Sequence, residues 1–103
     1  MEQENAVTMR IHTHPGEILR EEFMIPLGLS ANALSREIDV PPNRITSIVA
    51  QVRAVTPDTA LRLARYFDTT PEFWLNLQTA HDLSVAQSEH GAKINERVRP
   101  RAA

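Results

Sequence analysis

The 103-residue chain contains no cysteine and only three glycines. Without cysteine the chain has no disulfide bonds, no thiolate metal sites and no cysteine nucleophile. No apolar run approaches the roughly 18 residues that a membrane-spanning helix needs. The first residues, MEQENAVTM, lack the basic segment and apolar stretch of a signal peptide. We therefore expect a cytoplasmic protein with no membrane association, and the composition indicates no cofactor.

The chain also lacks an excess of positive charge, since its formal net charge is −2. Taken as a whole, this value argues against a protein that binds nucleic acid. The charges are, however, distributed in blocks, with net values of −4 over residues 1–39, +3 over 40–66, −4 over 67–92 and +3 over 93–103. The basic block at 40–66 holds Arg44, Arg53, Arg62 and Arg65 against Asp58 alone. One face of the protein could therefore attract DNA.

The pattern of apolar residues predicts an all-α fold of about five helices. Proline and glycine at 15–16 begin the first helix, and the segment 25–28 ends it. The others are expected at about 30–38, 42–49, 57–67 and 72–83, with Thr56 and the cluster 68–71 marking helix starts. At this length one domain is expected.

Outside these helices the pattern is weaker. Residues 1–13 are predicted to be a flexible tail, although the alternation from Thr8 to Thr13 allows a short edge strand. The domain is placed at 14–83. Gly91 is expected to break any helix that continues into 84–103, which is interpreted as an extension ending in a basic tail, KINERVRPRAA.

The segment from Leu29 to Val49 has the layout of a helix-turn-helix. Ser30 caps one short helix, Asp39 and Val40 end it, and Pro41 and Pro42 begin the next. At 100° per residue the second helix separates two faces. The inward face is expected to hold Ile45, Ile48, Val49 and Val52, and the outward face to hold Asn43, Arg44, Ser47 and Gln51.

The outward residues are suited to DNA recognition. Asparagine and arginine can pair with adenine and guanine edges in the major groove, and serine can bind a base or a phosphate. The alternative is that this polar face is merely solvated, which its spacing alone makes equally plausible. The surrounding helix-turn-helix pattern favours recognition.

Three motifs then carry a resemblance to a known family. They are HPGEIL at 14–19, VPPNRI at 40–45 and TPDTALRLARYFDTTPEFWLNLQ at 56–78. Together they resemble the HigA family of antitoxins, helix-turn-helix proteins related to the phage lambda repressor. The resemblance spans His14 to Gln78.

The resemblance implies a lambda-repressor-like domain with a C-terminal helical extension. It also implies a dimeric antitoxin of a type II toxin–antitoxin module, which represses its own operon and neutralises a RelE-like messenger-RNA endonuclease. The implied DNA contacts are Asn43, Arg44 and Ser47 on the recognition helix and Arg53 in the loop that follows.

Two positions depart from the family pattern. Relatives commonly have glutamine directly after the cap of the second helix, where this chain has Ala31. The backbone contact there is either missing or made by Asn32, and Ser30 and Asn32 are therefore added to the candidate DNA contacts. Many relatives also have Asn-Gly after the recognition helix, where this chain has Ala50 and Gln51, so the helix is expected to continue slightly further.

Partner surfaces are less well defined by the sequence. Trp74 and Leu77 on the fifth helix are the expected contacts of a homodimer. The acidic segments 1–39 and 67–92 could attract a basic toxin, or they could simply keep the protein soluble.

An enzyme is the rival function from another class. Its best candidates are His12 with His14, His81 with Asp82, and the glutamates at 17, 21 and 22. No third metal ligand stands at suitable spacing, and no nucleophile accompanies the histidines. We therefore expect no catalytic or metal site. The closer alternative is a stand-alone repressor of the same fold without a toxin.

Overall fold

The structure is a computed structural model that describes residues 11–102. Within this range the fold is all-α, as predicted, with five helices and no strand. The helix α1 runs from Pro15 to Leu27 in three contiguous pieces. The other helices are α2 (Ala31–Glu37), α3 (Pro42–Val49), α4 (Pro57–Phe67) and α5 (Pro71–Arg97). The expected edge strand lies partly outside the described residues, and Ile11–Thr13 form no strand.

The middle piece of α1 is wound more widely than an α-helix. Pro15–Ile18 and Ile25–Leu27 are α-helical, whereas Leu19–Met24 is π-helical, and the N–H of Ile25 donates to the carbonyl of Arg20. In an α-helix the ring of Pro26 would crowd the carbonyl four residues earlier. The wide turns directly before Pro26 relieve this crowding, so α1 passes through Pro26 and ends at Leu27, within the segment 25–28 that was expected to end it.

The core is built from one face of every helix. Its fully buried side chains include Leu19, Leu34, Ile45, Ile48, Leu63 and Trp74. Trp74 donates from its indole nitrogen to Thr69 Oγ1 at 2.8 Å, so its polar group is satisfied. Phe23 packs against Phe67 and Trp74, with ring centroids 4.8 and 5.1 Å apart. One stripe of α4 faces this core, with apolar residues spaced three and four apart: Ala60, Leu63, Ala64 and Phe67.

The helix α5 is more than twice as long as predicted. It contains 27 residues and ends at Arg97, so the expected end near Leu83 and the expected break at Gly91 are both wrong. Lys93 to Arg97, placed in a tail from the sequence, are also helical. A single glycine costs a helix only about 1 kcal/mol, which the neighbouring helix-forming residues outweigh. Within residues 11–102, no helix is both long and apolar enough to cross a membrane.

Four of the helices end in a residue with left-handed backbone conformation. These residues are Gly28, Asp39, Gln51 and Asp68, and three of them are not glycine. After α3, the N–H groups of Gln51 and Val52 donate to the carbonyls of Ile48 and Ser47 at 2.9 and 3.0 Å. These two bonds satisfy the last carbonyls of the helix.

The expected continuation of α3 beyond Ala50 is therefore wrong. Gln51 takes the left-handed conformation, with a φ of 66°, that glycine adopts more easily. The turn moves Val52 out of the helix and leaves it 79% exposed, so its predicted inward position is also wrong. The turn is thus retained without glycine, at a conformational cost of about 1 kcal/mol.

The first turn of α1 lies directly against the recognition helix α3. A Cβ atom added to Gly16 would lie 1.8 Å from the carbonyl oxygen of Ile48. Only glycine permits this approach, because a methyl group would overlap a backbone atom that cannot move freely. Gly16 therefore fixes the distance between α1 and the end of α3.

Replacing Gln51 with glycine should stabilise the protein. Relief of the left-handed strain exceeds the added flexibility of the unfolded chain, so Gln51→Gly should raise the free energy of unfolding by about 0.5–1 kcal/mol. The melting temperature, followed by circular dichroism, should rise by about 2–8 °C. Gln51→Ala keeps the strain and is the control. An equal rise in both variants would contradict strain as the cause.

Replacing Gly16 with alanine should have the opposite effect. The added methyl group must push α1 away from α3, so Gly16→Ala should lower the free energy of unfolding by about 1–3 kcal/mol. The matched control is Gly91→Ala, whose Cβ would meet nothing closer than 3.9 Å. That variant should be stabilised by about 0.5–1 kcal/mol. Urea titration of both proteins tests the contact, and an unchanged Gly16→Ala variant would refute it.

Candidate nucleic-acid interface

The recognition helix α3 separates its side chains much as the sequence predicts. Ile45 and Ile48 are fully buried, and Val49 packs beside them against the core. On the other face Asn43 is exposed, while Arg44 and Ser47 are half-buried. Pro41 and Pro42 begin the helix, and α3 starts without a side-chain cap. The first turn therefore presents the exposed side chain of Asn43 to the exterior, while the N–H of Arg44 donates to the carbonyl of Pro41 at 3.0 Å.

The helix α2 holds α3 through a close crossing. Ser35 is fully buried, and its hydroxyl donates to the backbone carbonyl of Asn32 at 2.8 Å. The close crossing needs a small side chain at this position. Ser30 caps α2 by accepting a hydrogen bond from the N–H of Ala33 at 3.0 Å. Ser30 and Asn32 are both exposed at this end of α2, where a DNA backbone could reach them.

Arg44 is fixed by an acidic residue of α4. Its Nη1 donates to Asp58 Oδ2 at 2.7 Å, and Arg62 Nε donates to the same oxygen at 3.0 Å. These two guanidinium groups, Arg62 first, hold the pKa of the Asp58 carboxyl below its ordinary value. Because Asp58 is solvent-exposed, the pairs contribute little to stability. Their effect is to fix the positions of the two arginine side chains.

The charge count included Arg62 in the basic surface. In the structure its guanidinium is held by hydrogen bonds to backbone carbonyls instead. Its Nη1 donates to the carbonyls of Ile38 and Asp39 at 2.9 and 3.0 Å. It therefore closes the end of α2 and ties α4 to the turn of the helix-turn-helix. Of the four arginines in the basic block, Arg53 and Arg65 are exposed.

The loop that carries Arg53 is anchored from α5. Val55 is buried, and its N–H donates to Gln78 Oε1 at 2.7 Å. The amide nitrogen of Gln78 donates in turn to Asp82 at 2.9 Å. Arg44 and Arg53 line opposite parts of a cleft of about 430 Å³ at the start of α4. The loop therefore places its guanidinium beside the recognition helix.

Histidine residues brace the start of α1 from α5. His14 Nδ1 accepts a hydrogen bond from the N–H of Gly16 at 2.8 Å, which requires a neutral ring. Burial and the nearby His81 lower the pKa of His14, and Asp82 partly opposes them. His81 Nδ1 lies 2.7 Å from the carbonyl oxygen of His12, whose N–H donates to Ser84 at 2.9 Å. These histidines are structural, and the described residues contain no metal-binding cluster of His, Asp and Glu.

The predicted dimer contact at Trp74 is wrong. Its side chain is fully buried by the chain itself, so it has no surface to offer a second copy. Leu77 is half-buried and packs against the same core. Burial therefore places Trp74 in the core of the single chain.

Sequence reasoning missed three residues that organise this surface. They are Asp58, Arg62 and Gln78, which contact residues 14, 24 and 23 positions away in the chain. The signal for Asp58 was its position as the only acid in a basic block. Gln78 offered no local signal, because its partner is a backbone N–H in a distant loop.

Comparison with known proteins identifies the family. A helix-turn-helix family model matches residues 19–74, more than half of the chain. Virulence-associated protein I of Dichelobacter nodosus is 55% identical over 76 residues, which cover 74% of this chain and 70% of that protein. Antitoxin HigA-1 of Vibrio cholerae is 37% identical over 76 residues, which cover 74% and 71% of the two chains.

Solved structures match the fold along nearly its whole length. A HigA-family addiction module antidote protein from Coxiella burnetii superposes with a TM-score of 0.84 at 49% identity, over 89% of this chain and 100% of that one. Pseudomonas aeruginosa antitoxin HigA, solved with the higBA promoter, gives 0.85 at 40% identity, over 87% and 98%. Antitoxin GraA in complex with its operator gives 0.86 at 48% identity, over 91% and 95%. These are helix-turn-helix proteins rather than enzymes, and this chain belongs to the HigA family of antitoxins.

Proposed function

We propose that this protein is the antitoxin and autorepressor of a type II toxin–antitoxin operon. In this proposal a homodimer binds operator DNA through α3, and each chain neutralises a RelE-like messenger-RNA endonuclease. The observation that carries the DNA half is the recognition helix, whose buried face is Ile45 and Ile48 and whose open face is Asn43, Arg44 and Ser47. Two similar antitoxins were solved with promoter or operator DNA, which supports this assignment.

Residues of the interface divide into two roles. Asn43, Arg44 and Ser47 face the bases, because base-contacting residues lie in the first turns of a recognition helix. Arg53 contacts phosphate from its anchored loop, and Ser30 and Asn32 contact phosphate from the start of α2. In a symmetric dimer the two recognition helices would enter major grooves one helical turn apart on a palindromic site.

The toxin-binding surface is proposed on α1. Glu17, Glu21 and Glu22 are all exposed there, and Ile25 and Leu27 add exposed apolar area at 54% and 62%. An enzyme that cleaves RNA needs a basic surface for its substrate, so acidic side chains could both attract and block it. The second acidic segment, 67–92, is less suitable because its four acids are spread from the end of α4 along α5. Hydrogen bonding does not separate the two segments, since Asp82 accepts from Gln78 and Glu21 accepts from Arg20.

Single arginine substitutions separate base recognition from phosphate contact. Arg44→Ala should weaken operator binding by about 1–3 kcal/mol and relax the preference at one base pair. Arg53→Ala should weaken binding to all sequences alike and lower the salt dependence by about one ion per protomer. Fluorescence anisotropy with promoter DNA and single-base variants measures both effects. Unchanged base preference in Arg44→Ala would remove α3 from the proposed interface.

The toxin half is tested by co-expressing the tagged chain with each adjacent open reading frame. We expect a small partner to copurify in fixed ratio and to stop growth when it is expressed alone. Replacing Glu17, Glu21 and Glu22 with glutamine should weaken this complex at least about tenfold, since three charge contacts are lost. Glu72→Gln with Glu89→Gln is the control in the other acidic segment.

The alternative is a stand-alone repressor of the same fold. It is favoured if no adjacent product binds while the protein still shifts its own promoter fragment. If the control substitutions weaken the complex and the α1 substitutions do not, the toxin-binding surface lies in 67–92 instead.

A further inference from the structure

Asp58 stands at the start of α4 with an arginine on each side. Its Oδ2 accepts hydrogen bonds from Arg44 at 2.7 Å and from Arg62 at 3.0 Å. The carboxylate side chain is 56% exposed, whereas Arg44 is only 27% exposed despite lying on the open face of α3. The acid therefore does not neutralise a buried charge. It holds a guanidinium that would otherwise extend into solvent.

The carboxylate is itself held in place. Arg62 lies one helical turn after Asp58 and also donates to the carbonyls of Ile38 and Asp39. Three hydrogen bonds thus fix Arg62 between α4 and the turn that precedes α3. Because this side chain cannot move freely, the position of the Asp58 carboxylate is fixed relative to the recognition helix.

The pairing leaves one edge of the Arg44 guanidinium available. Only Nη1 donates to Asp58 within the described residues, and the edge with Nε and Nη2 makes no hydrogen bond there. That edge can donate two parallel hydrogen bonds, the pattern that matches O6 and N7 of guanine. An arginine fixed by one edge loses less conformational entropy when its other edge binds.

We propose that Asp58 is a positioning residue that sets the ratio of operator to non-operator binding through Arg44. This inference rests on the proposed DNA-binding function and extends it to a residue outside α3. On operator DNA the held guanidinium meets a guanine with its donors aligned. On other sequences it would have to leave Asp58 to reach a phosphate, and the carboxylate would then face the DNA backbone with only the Arg62 hydrogen bond retained.

The test compares two DNA probes with the full chain. One is the promoter fragment of its own operon, and the other is a scrambled fragment of equal length. Asp58→Asn should raise affinity for the scrambled fragment by about fivefold, the factor that one charge contact in water is worth. Affinity for the promoter fragment should not rise, because lost alignment of Arg44 offsets the lost repulsion. The ratio should therefore fall by at least about fivefold.

Two further variants separate positioning from charge alone. In an Arg44→Ala background, Asp58→Asn should leave the ratio unchanged, since Asp58 has no arginine on α3 to hold. Asp68→Asn removes the same charge from the opposite end of α4, roughly 15 Å away at 1.5 Å per residue. It should also leave the ratio unchanged. Thermal melting of each variant confirms that binding is measured on folded protein.

The outcomes are distinct. If Asp58→Asn shifts both affinities equally, or if its effect persists without Arg44, the inference is overturned while the proposed function stands. If the wild-type protein shows no preference for its own promoter, the proposed function fails first and the inference fails with it.

Discussion

The recognition helix α3 contains only eight residues, and a helix of that length is not stable alone in water. Its position depends on the burial of Ile45 and Ile48, which are fully enclosed by side chains from the other helices. Complete burial of two such side chains is worth about 3–6 kcal/mol. The open face is therefore available for recognition because the opposite face is held in the core.

Backbone contacts then set the orientation that burial alone leaves undetermined. At the end of α3, Gly16 meets the carbonyl of Ile48, and the left-handed turn at Gln51 closes the helix. Before α3, Arg62 binds the carbonyls of Ile38 and Asp39. Because these contacts involve backbone atoms, they fix the helix axis more precisely than side-chain packing does. The two ends of α3 are thus held from α1 and α4, which are distant in sequence.

The sequence predicted those features that depend on local chemistry. Ser30 and the cluster 68–71 were expected to cap helices, and Ser30 and Thr70 accept the expected backbone hydrogen bonds. Thr56 stands at the start of α4 as expected, but its side chain makes no capping hydrogen bond. The buried stripe of α4 followed from its 3.6-residue period. The errors at Gln51 and Gly91 share a cause, since each treated one residue's preference as decisive. Local preferences of about 1 kcal/mol are overridden by helix-closing hydrogen bonds and by a long helix around them.

The candidate site was harder to predict because its organisation depends on contacts between helices. Asn43, Arg44 and Ser47 could be placed on one face from spacing alone, and the structure leaves that face open. The fixation of Arg44 by Asp58 could not be predicted, because it requires the start of α4 to lie beside α3. The same applies to Gln78 and Val55, and to the burial of Trp74. A helical pattern shows which residues share a face but not which neighbour covers it.

The number of positively charged side chains that one chain can offer to phosphates limits how tightly it can bind DNA. In the basic block, Arg62 is committed to carbonyl groups and Arg44 is shared with Asp58. Arg53 and Arg65 remain exposed there. Two or three phosphate contacts give only weak binding at physiological salt, since sequence-independent affinity grows with the number of phosphates neutralised. Two copies on one duplex would double these contacts and would add a second recognition helix in a neighbouring groove.

The distribution of charge along the chain explains why a protein of net charge −2 is compatible with DNA binding. Twelve of the thirteen acids lie in the segments before and after the basic block, so the net charge of the whole chain does not describe the segment that holds α3.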